Sequence, residues 1–292
     1  MSIKAWLACV SVFGLFLASL LPQGPVRKFK PIDFPGAVET GTVSITSSGD
    51  IAGQYTNPDG SVHGYLLKDG QFTTVDFPGA TTTQLAWMND RGDMVGGYNS
   101  GNGNHGFLLS QGTFTSIDQP NAQNTIATGI GVNGDIVGVS SGNGVNFQGY
   151  LLKQGTFSPV VFPGPSVTFQ EPTMIAAGSI VGGYVDNTGV HGYLFVQNNF
   201  QTIDCPGATG GVFLSGIDSL GRMTGGMTTS DGHQHGVLIQ LGHCTQIDVP
   251  GSIATYANSI NTLGDLVGRF TDANGVTHGF VFEQYSTGSP LP

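Results

Sequence analysis

Positive charge is what this chain has least of. Nine Lys and Arg stand against nineteen Asp and Glu in 292 residues, for a formal net charge of -10. No basic stripe exists to neutralise phosphate, which excludes nucleic acid and anionic lipid as partners. Charge of either sign is scarce, at 10% of residues, where an ordinary soluble domain carries about a quarter. Long surface helices need charged outer faces, and beyond Met1 to Leu21 no segment shows a useful helical apolar period. Glutamate occurs only at Glu39, Glu171 and Glu283, and cysteine only at Cys9, Cys205 and Cys244. What is abundant is backbone punctuation: 47 Gly and 15 Pro. With 39% hydrophobic and 10% aromatic residues the chain has enough to build a core, which excludes disorder. A turn-rich, all-β protein remains.

Met1 to Leu21 reads as an export signal, with Lys4 as its positive start and an uncharged, mostly apolar run from Ala5 to Leu21. That run is also just long enough to span a bilayer, so residues 1–24 are expected to be a signal peptide or an N-terminal anchor. Residues 25–286 then form the folded unit and 287–292 a flexible tail, and the protein is expected to be secreted or periplasmic. Processing leaves Cys205 and Cys244, compatible with one disulfide or with two separate buried thiols.

The chain repeats itself. Ile32-Asp33-Phe34-Pro35-Gly36-Ala37 returns as Val75-Asp76-Phe77-Pro78-Gly79-Ala80 and, with decay, from Ile117, Val160, Ile203 and Ile247. A second landmark is a glycine-bracketed apolar pair, as in Gly92-Asp93-Met94-Val95-Gly96, present six times. A third is His-Gly before an apolar run, at His63, His105, His191, His235 and His278 with Gln148 in the third copy, spaced by 42, 43, 43, 44 and 43 residues. Each copy holds four short apolar runs separated by Gly- and Asn-bearing turns. In the second copy the predicted strands are Thr83 to Asn89, Met94 to Tyr98, Gly106 to Leu109 and Phe114 to Ile117.

Six four-stranded repeats of about 43 residues predict a six-bladed β-propeller, whose closure removes open sheet edges. A linear β-solenoid is the alternative, but it usually has shorter coils and atypical end repeats. The chain begins with a fourth-type strand, Lys30 to Phe34, and ends on a third-type strand, Gly279 to Glu283. Pairing the two completes the last blade and closes the ring. The blocks of the type Phe-x-x-Ile-Asp-Phe-Pro-Gly-Ala, Gly-Asp-Ile-Val-Gly and His-Gly-Phe-Leu resemble the HAF-type extracellular repeats of bacterial exported proteins, from about Phe29 to Tyr285. The resemblance implies an exported repeat protein and brings no catalytic residues with it. The fourth copy departs from the pattern at Val161 and Ser179, and the third at Gln119, Asn121 and Gln148.

The repeated histidines open third strands, too far apart for one ion, so each is expected to hydrogen-bond backbone or a neighbouring Asp within its blade. The repeated Asp33, Asp76, Asp118, Asp204 and Asp248 read as turn and strand-end acceptors. Asp231, His233 and His235 are a weak metal candidate beside the simpler reading of a hairpin turn, and no cofactor is expected. Gly129-Ile130-Gly131-Val132-Asn133-Gly134 fits the dinucleotide fingerprint, yet it opens no helix and is a repeat turn.

Departure from the repeat is the stronger signal, because internal copies serve as their own control. Counting seven residues back from the second landmark gives Thr42, Leu85, Ala127, Glu171, Leu214 and Ala257, which makes Glu171 singular. Nearby inner-strand oddities are Gln84, Trp87, Gln170, Phe213 and Tyr256. Aromatics, amides and a carboxylate around a concave mouth suit a sugar or another polar organic ligand; the simpler reading is that Trp87 and Phe213 are packing between blades. Two function classes follow. One is a non-catalytic binding or scaffolding propeller for a carbohydrate or extracellular protein. The other is a polysaccharide hydrolase or lyase with Glu171 as general acid or base, paired with Glu39 or an Asp.

Overall fold

The computed structural model describes residues 27–284 except 102, 143–146 and 165. The expected leader at 1–24 and tail at 287–292 lie outside them. Among the described residues are twenty-four strands in six antiparallel four-stranded sheets, and the chain is a six-bladed β-propeller. The innermost strands of blades 1 to 6 are Glu39–Ile45, Thr82–Met88, Asn124–Ile130, Phe169–Ala176, Gly211–Ile217 and Ala254–Ile260. They touch in sequence round the ring, the sixth against the first. Blade 2 shows the plan, moving outward through Met94–Asn99, Asn104–Ser110 and Thr113–Ile117. In blade 6 the outermost strand comes from the other end of the chain: Arg27–Ile32 pairs antiparallel with Thr277–Gln284, Ile32 opposite Gly279.

Both glycines of the second landmark have a reason. The first sits in a turn at positive φ, as at Gly92 (φ 80). The second passes under the inner strand, where a Cβ on Gly96 would lie 2.1 Å from the Gln84 carbonyl oxygen and one on Gly182 2.0 Å from that of Glu171.

Every inner strand is interrupted at the same place, leaving Val43, Ala86, Thr128, Thr173, Ser215 and Asn258 out of register with the second strand. Four of these side chains donate to a carbonyl of the next blade: Thr128 to Pro172, Thr173 to Leu214, Ser215 to Ala257 and Asn258 to Thr42. Val43 and Ala86 have no donor to offer. Those two junctions are bridged instead by Met88 N–H to Ser44 Oγ (3.0 Å) and Asn89 Nδ2 to the Gly131 carbonyl (3.1 Å).

Towards the rim, the repeated Phe and His belong to one stack. Phe34 lies on Tyr55 with centroids 3.7 Å apart and Tyr55 on His63 at 5.2 Å. Phe77, Tyr98 and His105 repeat this in blade 2, and Phe162, Tyr184 and His191 in blade 4. Each of the five histidines places Nδ1 2.7 to 3.0 Å from an Asp of the neighbouring strand end: Asp76, Asp118, Asp204, Asp248 and Asp33 in turn. In blades 1, 2 and 4 the loop Phe also meets an outer-strand Phe edge-on, Phe34 with Phe72, Phe77 with Phe114 and Phe162 with Phe200. Blade 5 has cysteine at both positions, and Cys205 and Cys244 form a disulfide. A covalent bond thus takes the place of an aromatic pair; closing a 39-residue separation stabilises by about 4 kcal/mol in the chain-entropy account.

Candidate functional site

The inner-strand pairing corrects the alignment of blade 4. Met88 and Met94 pair across the blade 2 turn with five residues between them, whereas Ile175 and Ile180 enclose only four. Counting back from the turn glycine therefore runs one residue out. Pro172, next to the bulge, is the counterpart of Thr42, Leu85, Ala127, Leu214 and Ala257, while Glu171 falls in line with Gly41, Gln84, Ile126, Phe213 and Tyr256. Glu171 is singular there as well, being the only ionisable side chain of the six apart from the Tyr256 phenol.

The residue at this position packs against the second strand of the preceding blade, and the two sizes are matched. A Cβ on Gly183 would lie 2.2 Å from Phe213 and one on Gly226 2.3 Å from Tyr256. Phe213 and Tyr256 are thus partly blade packing, as the simpler reading of the sequence has it for Phe213.

They also line a central cavity of ≈ 280 Å³ together with Glu171, Arg269, Asn258 and the hydroxyl-bearing bulge residues. Its floor is Trp87. The indole is buried, 7% exposed, and reaches across the ring from blade 2 to blade 5, where a Cβ on Gly216 would lie 3.2 Å from Trp87 Cη2. Trp87 also borders a second cavity of ≈ 300 Å³ at the opposite mouth, walled by Ile45, Met88, Ile130, Met174 and Ile260. The bore of the propeller is therefore two blind chambers divided by a tryptophan, the second apolar around the indole with Ser47, Asn89, Asp90, Asp218 and Thr262 also in its lining.

Glu171 is half-buried, and desolvation raises its pKa above the usual carboxylate range. Among the described residues it has neither a hydrogen bond nor an ion pair, so its oxygens are left to whatever enters the cavity. Arg269 spreads its guanidinium over the Tyr256 ring, 4.9 Å from the centroid. The Tyr256 hydroxyl donates to the Phe213 carbonyl (3.2 Å), and burial pushes the phenol up to about 12. One carboxylate, one guanidinium and the partly exposed Phe213 ring in a water-accessible recess can hold a polar ligand by paired donors and acceptors with an aromatic edge or face to lie against.

The structure brings Trp87, Glu171, Phe213 and Tyr256 together and leaves two sequence candidates out. Gln170 is buried, and its Oε1 accepts from the Phe162 N–H, the task performed elsewhere by Thr40, Thr83, Thr125 and Thr255. Gln84 shares the Glu171 register but is exposed and does not line the cavity. Arg269 and Asn258 went unread in the sequence. Arg269 was within reach of the same rule, since its counterparts are Gln54, Gly97, Val139, Gly183 and Gly226.

Asp231, His233 and His235 do not converge. His233 Nδ1 is bonded to the Ile253 carbonyl (3.1 Å), and His235 is held between Asp248 (2.7 Å) and Asp231 (3.2 Å). No group of three His, Cys, Asp or Glu that would hold a metal ion occurs among the described residues. The arrangement is instead a pH-dependent clasp. Burial opposes charging His235, but hydrogen bonds and attraction from Asp248 and Asp231 outweigh it and raise its pKa above 6.5. Hydrogen bonds from Thr229 and the His233 N–H, aided by His235, hold Asp231 down at about 2. A raised histidine stabilises fully below its unfolded pKa and loses that contribution as pH climbs through the folded value; a depressed aspartate does so above its unfolded pKa and loses it as pH falls. His235→Gln is thus expected to lower the Tm most between about pH 4 and pH 6.5. The gap to the parent should close on either side in melts taken across pH, and a gap independent of pH would contradict the assignment.

No family model matches the sequence, and no curated protein matches it. Solved propellers share the fold. A fungal lectin from Aleuria aurantia, described as a six-bladed β-propeller with a novel fucose recognition mode, is 12% identical with a TM-score of 0.54 over 89% of this chain and 99% of its own. AofleA from Arthrobotrys oligospora is 13% identical (TM-score 0.53, 90% and 91% of the two chains). TolB from Acinetobacter baumannii is 12% identical (TM-score 0.52, 84% and 63%). At such identities the likeness is one of fold.

Proposed function

We propose that this chain is an exported, non-catalytic binding propeller that holds a carbohydrate in the polar central chamber. The observation that carries the reading is the Glu171 carboxylate, without a partner among the described residues, in one chamber with Arg269, Trp87, Phe213 and Tyr256. A saccharide presents hydroxyls that donate to a carboxylate and accept from a guanidinium, and an apolar ring face that lies on an aromatic. The lectin-like neighbours bear on this only by showing that six-bladed propellers hold sugars. Glycoside hydrolysis by a carboxylate pair needs a second acid roughly 5–10 Å from the first. Among the described residues no Asp or second Glu lines the chamber; Glu39 is exposed at the start of its strand and Glu283 is paired with Lys30. That supports binding over catalysis.

Glycan-array screening of the purified protein, followed by titration of a hit, tests the reading. Glu171→Gln keeps the shape and removes the charge, and is expected to weaken binding about 10- to 100-fold, the worth of a charged hydrogen bond, with the melting curve little changed. Unaltered affinity in Glu171→Gln, or cleavage of the glycan that this variant abolishes, would overturn it.

A further inference from the structure

Blade 3 departs from the others in a concerted way. Its loop residue is Gln119 where blades 1, 2 and 4 have Phe, its second-strand residue Ser140 where they have Tyr, and its third-strand residue Gln148 where they have His. Gln148 stands opposite Ser140 just as His63 stands opposite Tyr55. Val161 occupies the place of the Asp that the histidine would bind. Blades 5 and 6 show what relaxed replacement looks like: Cys205 and Met227 share one apolar cluster, Val249 and Phe270 another, and both blades keep the His–Asp pair. Blade 3 alone has exchanged the whole stack for neutral polar groups and the His–Asp pair for Gln148 and Val161. A cavity of ≈ 320 Å³ lies there, lined by Gln119, Pro120, Asn121, Ala122, Ser140 and Gln148 among others.

We propose that this cavity is a second ligand site, for one neutral sugar unit. Among the described residues no ionisable side chain lines it, so a charged ligand would be left without a counter-charge. Amides are the side chains that offer both a donor and an acceptor, as each sugar hydroxyl does. Ser140 Oγ donates to Gln119 Oε1 (2.8 Å) and fixes that amide with its nitrogen outward. Among the described residues neither that nitrogen nor the Gln148 amide has a partner. Asn121 holds the turn at φ 66, the conformation taken by Gly36, Gly79, Gly207 and Gly251, and adds a third amide. Pro120 and Ala122 give an apolar wall for the C–H face of the ring. The site lies at a loop entering an inner strand, away from the Glu171 chamber, and does not rest on the function assigned to that chamber.

The test uses saturation-transfer NMR and titration of the full chain with methyl glycosides of glucose, galactose, mannose, fucose and N-acetylglucosamine. At least one is expected to bind, about tenfold more weakly in Gln148→Ala, the loss of one good hydrogen bond. Rebuilding the ordinary stack with Gln119→Phe, Ser140→Tyr, Gln148→His and Val161→Asp together should abolish that binding while the protein melts no lower than the parent; Gln148→Ala carries the test if the rebuilt chain fails to fold. Glu171→Gln should leave it intact. If no glycoside binds, or if binding survives both the rebuilt stack and Gln148→Ala, the proposal falls. Loss in Glu171→Gln with none in the blade 3 variants would likewise sink it while leaving the central chamber's function standing.

Discussion

Trp87→Ala is expected to lower stability by about 3–5 kcal/mol, the range for emptying a buried aromatic site, and to join the two chambers into one open bore. The indole belongs to the largest core cluster, with Met174, Ile217 and Met223 around it, and it touches the blade across the ring. The inner strands are locked to their neighbours by hydrogen bonds, so the ring cannot shrink to fill the void and the full cavity penalty applies. Denaturant unfolding should show a lower midpoint at unchanged slope, and affinity for any ligand of the polar chamber should fall because its floor is gone. A loss below about 1 kcal/mol would mean that Trp87 does not divide the bore.

Deleting the chain through Ile32 is expected to do more: cooperative folding should be lost. The deletion removes Phe29, which packs on Phe270, Phe280 and Phe282 at 5.5 to 6.2 Å between centroids, and the buried Ile32. It also bares the edge of Thr277–Gln284, an apolar strand with unpaired backbone groups and a ready template for association. Gel filtration should find aggregate rather than monomer, and melting should broaden. A synthetic peptide spanning 27–34 added in trans is expected to restore part of the transition. A truncated chain that stays monomeric and melts within a few degrees of the parent would show that the N-terminal strand is not what closes the ring.

The repeat made most of the architecture legible. Glycines and short apolar runs recurring in phase placed the blade 2 strands within two residues of where they lie, and the unmatched strands at the two ends of the chain announced how the ring shuts. What escaped depended on facts that no period contains. Blade 4 closes its first turn with one residue fewer, so a count from the turn glycine put Glu171 on the wrong row, although the carbonyl crowding Gly182 marks the right one. Trp87 looked like any inner-strand oddity, because its contact with Gly216 exists only once blades 2 and 5 face each other. The Cys205–Cys244 disulfide was one of the two readings the sequence left open, and the structure bears it out. Cys205 and Cys244 occupy the loop and outer-strand positions of Phe34 and Phe72, but that those rings touch had to be seen. Gln170 misled because it is odd in type and ordinary in task.

The matching of sizes between neighbouring blades bears on how the chain can be rearranged. Phe213 needs the bare backbone of Gly183 and Tyr256 that of Gly226. Blades 5 and 6 are therefore each cut to fit one predecessor. Moving the chain ends to another turn by circular permutation preserves both matches, whereas moving blade 5 to another place in the ring breaks them. Copies of one motif have become, from blade 4 to blade 6, parts with a fixed order of assembly.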